Sequence, residues 1–160
     1  MKQERFGAYE LSRIQRILSI SPENRPEEIA RLVHEKQRDK TGSPYIGHPL
    51  RVSRLASLLL SDPSGSYSPT DRDTAVQAAW LHDVIEDSQE FFAPLVIDDL
   101  AEWGINHDVI EVVGILTKFE SPKLLPSQDP YYQRIKSHRI SRAVKICDLT
   151  DNCSQQRVSR

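Results

Sequence analysis

At 160 residues, 38% hydrophobic and 28% charged, the chain can bury one domain core but is too polar for a sheet covered on both faces. A net charge of −2 gives no basic field for nucleic acid, and no apolar run reaches the roughly 20 residues that a membrane span needs. Two cysteines, Cys147 and Cys153, are too few for a disulfide scaffold or a zinc knuckle. No apolar signal core follows Met1-Lys2-Gln3-Glu4, so a cytoplasmic location is expected.

Leu11, Ile14, Ile17 and Leu18 recur at helical spacing, predicting a first helix that ends near Ser19. Pro26 with Glu27 and Glu28 suits the opening turn of a second helix, which carries Ile29, Leu32 and Val33 inward and runs to about Arg38. Gly42, in the loop Lys40–Pro44, stands where a C-terminal cap belongs. A third helix follows, with Pro49 as its first residue, His48 as its cap, and Val52, Leu55, Leu58 and Leu59 on its inner side.

Residues 61–69 form a turn-rich excursion, after which Thr70 or Asp71 caps the next helix. A helix around Leu95–Trp103 stops at Gly104, and Asn106 caps another that buries Val109, Ile110, Val112, Val113 and Leu116. Ser121-Pro122 and Pro126 break the chain. The last helical region runs from about Tyr131 past Asn152, with a break near Ser137-His138. No alternation of period two appears. The expected fold is all-α, one domain over residues 1–160 with six to eight helices.

The stretch from Ala78 to Asp87 organises the functional reading. As one continuous helix it sets His82, Asp83, Glu86 and Asp87 on a single polar stripe opposite Ala78, Ala79, Leu81, Val84 and Ile85. Three carboxylates beside an imidazole, near the helix C-terminus, repel one another and oppose the macrodipole. Either the stripe is a solvated acidic face, or a divalent cation neutralises it. Two further features could supply chemistry: His48, and Asp148 between Val144, Ile146 and Leu149, whose expected burial makes an unpaired carboxylate costly. Asp148 could equally pair with Lys145 or Arg142. His34 and His107 read as core-edge or surface residues, and His138 has no evident partner.

These segments together resemble the HD-domain phosphohydrolases, whose metal signature is a His, a later His-Asp pair and a distant Asp. The chain is similar above all to the hydrolase domain of the RelA/SpoT alarmone enzymes and their small stand-alone relatives. The resemblance rests on Gly42–Leu50, Leu81–Asp87, Leu116-Thr117-Lys118 and Val144–Asn152, and covers about residues 29–152. It implies an all-α helical bundle with His48, His82, Asp83 and Asp148 as metal ligands. It also places Lys40, Thr41 and Asn152 at positions that contact substrate.

That mixed nitrogen–oxygen set suits Mn²⁺ first, with Fe²⁺, Co²⁺ or Zn²⁺ as alternatives, rather than Ca²⁺. Glu86, one turn after His82, could position or deprotonate a water, and Asp87 could donate a proton or support a ligand.

The chain departs from the alarmone pattern at Asp39, where those hydrolases carry an Arg that packs on guanine, and in its longer 61–69 loop. A carboxylate at 39 predicts weaker or broader base selection, unless it accepts hydrogen bonds from guanine itself. The expected activity is removal of phosphate or pyrophosphate from a nucleotide, led by a (p)ppGpp-like 3′-pyrophosphate. The rivals are a different nucleotide and a non-catalytic nucleotide sensor. The partner is a small molecule, not nucleic acid or membrane; oligomeric state is left open.

Overall fold

The structure, a computed structural model, describes residues 5–61, 63, 66–119, 125 and 127–158, with side chains to residue 154. The breaks expected at Ser121-Pro122 and Pro126, and Asp62, Ser64 and Gly65 of the 61–69 loop, lie outside the described residues. Among those described there is no strand, only an isolated bridge between Arg38 and Pro44. The architecture is all-α: α1 (Ala8–Ser19), a 3₁₀ turn (Pro22–Asn24), α2 (Arg25–Val33), α3 (Gly47–Leu59), α4 (Pro69–Leu81), α5 (Val84–Phe91), α6 (Ile97–Glu102), α7 (His107–Leu116), α8 (Pro130–Ser137) and α9 (Arg139–Val158).

Helix α4 is the axis of the bundle and packs against α2, α3, α7 and α9. Its Ala75, Ala78, Ala79 and Leu81 are wholly buried, and three alanines among them let neighbouring backbones approach closely. Ser68, not Thr70 or Asp71, caps this helix. Its hydroxyl accepts from Asp71 N–H while the Asp71 carboxylate accepts from Ser68 N–H, a reciprocal pair that outcompetes a cap one turn later.

The expected continuous helix through Ala78–Asp87 is two helices. Regular bonding ends at Leu81, Asp83 turns to φ −103° and ψ −5°, and α5 begins at Val84. Glu86 and Asp87 therefore occupy a first turn, where the macrodipole favours negative charge, and the electrostatic argument against them changes sign.

Three other expectations shift. Helix α2 stops at Val33 rather than near Arg38, because the chain turns at His34 (ψ 9°) and Gln37 carbonyl takes Tyr45 N–H at 3.1 Å. Gly42 (φ +84°) turns the loop between Arg38 and Pro44 instead of capping a helix. Helix α3 starts at Gly47, with His48 in its first turn, and buries His48, Pro49, Val52, Ser53 and Ala56. Leu58 and Leu59 face outward, since the stripe that meets α4 and α9 runs through 49, 52 and 56. Gly104 (φ +72°) and the Asn106 cap stand as expected, as does the break between α8 and α9.

Candidate metal centre

A helix start, a helix junction and a helix face converge on one point. The first turn of α3 brings His48, the α4–α5 junction brings His82 and Asp83, and the inner stripe of α9 brings Asp148 and Asp151. The sequence reading buried Asp148 for the wrong reason. Ile146 and Leu149 are about half exposed; the stripe turned inward is Val144, Cys147, Asp148 and Asp151, at helical spacing.

His48 Nδ1 lies 2.7 Å from Asp151 Oδ2, and His82 Nδ1 lies 2.7 Å from the Ala79 carbonyl oxygen. Neither oxygen carries a hydrogen, so each Nδ1 must donate one. In the neutral rings both Nε2 atoms are thereby left with a lone pair, and they face each other at 3.2 Å. Asp83 Oδ2 completes a triangle, 3.0 Å from His82 Nε2 and 3.6 Å from His48 Nε2.

Donor atoms bound about 2.1 Å from one ion stand about 3.0–3.4 Å apart at neighbouring vertices. Two sides of the triangle fall within that spacing and the third, at 3.6 Å, is about 0.2 Å longer; its two nitrogens and one oxygen suit a borderline divalent cation. His48, His82 and Asp83 thus form a triad able to hold one. Asp148 Oδ1 stands beside it, 3.3 Å from His48 Nε2 and 3.8 Å from His82 Nε2. Its Oδ2 takes the Lys145 ammonium at 2.7 Å.

Burial opposes charge on His82, but the Asp83 and Asp148 carboxylates and the Ala79 carbonyl outweigh it and lift the imidazole to about 9. Burial likewise disfavours the Asp83 carboxylate, yet the two histidines and the Tyr45 hydroxyl, 2.6 Å from Oδ2, hold it far below the usual range. The pocket as a whole asks for positive charge.

Of the other expected site residues, Glu86 faces the same cavity, of about 120 Å³, with Lys118, Tyr131 and Lys145. Its carboxylate accepts from Lys118 N–H. Burial pushes the Glu86 carboxyl up, the Lys118 bond lowers it, and the Asp83 charge raises it again. Asp87 accepts from Gln37 Nε2 at 2.9 Å. Burial, against that bond and with the Asp83 and Glu86 charges, raises it to about 6.

Gln37 Oε1 in turn meets His34 Nδ1 at 2.6 Å, so His34 is a fully buried member of this network rather than an edge or surface residue. Asn152 donates to Asp148 Oδ1 at 2.7 Å. Lys40 and Thr41 sit on an exposed loop, and the Thr41 hydroxyl donates to Asp39 Oδ1 at 2.6 Å.

Sequence reasoning overlooked Tyr45, Asp151, Gln37, Tyr131 and the cavity-facing role of Lys118. Only Asp151 had a local signal, since it lies one turn beyond Asp148 on the same stripe.

Comparison with known proteins places this arrangement. Residues 45–155 match the family described as HD domain. The chain is 37% identical over 150 residues to a guanosine-3′,5′-bis(diphosphate) 3′-pyrophosphohydrolase of Aquifex aeolicus (87% of this chain, 19% of the relative). It is 33% identical over 127 residues to one of Xenopus tropicalis (74% and 62%), and 30% identical over 131 residues to one of Haemophilus influenzae (78% and 17%). The chain therefore spans less than two thirds of the length of each of these curated relatives. The family match spans all the converging residues, from His48 to Asp151, and with the all-α bundle it shows that this chain belongs to the HD-domain family.

Proposed function

We propose that the chain is a metal-dependent phosphohydrolase that removes the 3′-pyrophosphate of a (p)ppGpp-like guanosine nucleotide. In this reading one HD domain occupies residues 1–160. The observation that carries it is the pair of Nε2 lone pairs held face to face beside Asp83, with two lysines lining the adjoining cavity. The names of the relatives support the substrate class.

His48, His82 and Asp83 would hold the cation, with Asp148 as a fourth ligand and Mn²⁺ as the preferred ion. When bound, the cation supplies Lewis-acid polarisation of the phosphoryl group and acidifies an attacking water. The protein's own groups do the rest. Glu86, with a carboxyl poised above the ordinary range, takes the proton from that water. A P–O bond forms to the water oxygen while the bond to the ribose 3′-oxygen breaks. Asp87, at about 6, returns a proton to that leaving oxygen. Lys145 and Lys118 offset charge on the pyrophosphate, Lys145 being kept protonated, against its burial, by Asp148. Lys40, Thr41 and Asn152 hold the remainder of the nucleotide.

A hydrolysis assay over a nucleotide panel with Mn²⁺, products identified, tests the reading. Release of pyrophosphate from guanosine 3′-pyrophosphates is the expected result. Turnover of another nucleotide alone would move the substrate, and no turnover would favour a sensor.

A further inference from the structure

Asp151 is 5% exposed and sits one turn beyond Asp148 on α9, and it belongs to none of the catalytic steps above. Its carboxylate nonetheless accepts three hydrogen bonds at the centre. Oδ2 accepts from His48 Nδ1 at 2.7 Å and from Arg51 Nη2 at 3.0 Å, and Oδ1 accepts from Arg51 Nε at 2.7 Å. His48 and Arg51 are three residues apart on α3, as Asp148 and Asp151 are on α9, so the two facing helices each contribute one turn to the arrangement.

We infer that Asp151 and Arg51 are positioning residues for the metal: Asp151 fixes the tautomer and ring plane of His48, and Arg51 locks Asp151 in place. This rests on the reading of His48 as a metal ligand. An imidazole can face an ion through Nε2 only if its hydrogen is kept on Nδ1, and a buried carboxylate is the strongest available holder of that hydrogen. The carboxylate then needs its own countercharge, because a neutral imidazole brings none and Asp148 lies one turn away. Arg51 supplies it through a two-point contact that a lysine could not reproduce. The guanidinium end stays partly in water, at 43% side-chain exposure, which lowers the cost of burying the pair.

Two measurements test this on the full chain. In the metal-free protein, a long-range ¹H–¹⁵N spectrum should show His48 protonated at Nδ1, and Asp151→Leu should move that hydrogen to Nε2 in a major fraction of molecules. In competition with a chromophoric chelator, Asp151→Leu should bind Mn²⁺ about 10- to 100-fold more weakly at unchanged stoichiometry. Asp151→Asn, which keeps a carbonyl acceptor, should recover most of the loss.

Arg51→Met should weaken binding several-fold in the parent background and add nothing in the Asp151→Leu background, since it acts through Asp151. Should Asp151→Leu not fold, Arg51→Met carries the affinity readout, and Mn²⁺ binding within twofold of the parent in it would overturn the inference. A parent-like tautomer and an affinity within twofold in Asp151→Leu, with metal lost in His48→Ala, would overturn the inference while leaving the metal centre standing. Metal retained in His48→Ala would overturn both.

Discussion

His48 Nε2 and His82 Nε2 lie 3.2 Å apart, each on a ring whose other nitrogen is already committed to a buried oxygen. Two lone pairs at that distance repel unless a proton or a metal ion lies between them. In the metal-free protein the neighbouring carboxylates keep a proton on His82 up to about 9, which answers the same demand less completely than a divalent ion.

The first prediction follows from that geometry. His82→Ala and Asp83→Ala should each lose most bound metal, because each removes one corner of a three-atom triangle. Elemental analysis of the purified variants measures it. Full stoichiometry in both would refute the assignment.

Glu86 reaches the cavity but is absent from the ligand triangle. Glu86→Gln should therefore retain metal and lose turnover by about 10²–10⁴-fold, the scale of a positioned acid or base. Activity within a few-fold of the parent would leave Glu86 as a bonding partner for the Lys118 backbone and nothing more.

Asp87 carries a prediction about pH. Its folded-state value, about 6, exceeds the ordinary 3.8, chiefly through burial, so ionising it costs more in the folded than in the unfolded chain. The stability it contributes is intact below about pH 4 and is lost as pH rises to about 6. In the metal-free protein, Asp87→Asn should be more stable than the parent above pH 6, by about 1–2 kcal/mol after solvent screening, and equal to it near pH 4. Denaturant titrations at the two pH values measure this; equal stabilities at both would show that Asp87 ionises freely.

The Asp39 carboxylate is an internal acceptor of the loop that presents Lys40. Oδ1 takes Thr41 N–H at 2.8 Å, the Thr41 hydroxyl at 2.6 Å and Ser43 N–H at 3.0 Å. The hydrogen bonds to Thr41 lower its pKa in spite of the small desolvation cost. An arginine at 39 could stack on a base, but it would leave these three donors to water and release the loop. Asp39→Arg should then raise KM for a guanosine substrate roughly five- to tenfold, and Asp39→Asn, which keeps an acceptor oxygen, should stay near the parent. A lowered KM in Asp39→Arg would mean that stacking outweighs loop order.

The sequence alone determined what depends on near neighbours. Apolar spacing of three and four marked the helices. His82-Asp83 and the segments around His48 and Asp148 marked residues that converge in the structure, because a helical turn repeats within four residues whatever surrounds it. Even locally it misjudged α9, where Ile146 and Leu149 are outside and Cys147 and Asp151 inside, since apolar identity does not reveal which stripe meets α3 and α4.

Only the tertiary structure decided which partners complete the centre. The hydrogen on His48 Nδ1 is set by Asp151, 103 positions away, and Asp87 is held by Gln37, 50 positions before it. Such pairs arise where elements distant in sequence pack together. Helix crossing is set by the packing of whole faces around the buried alanines of α4, and no short window of sequence contains it.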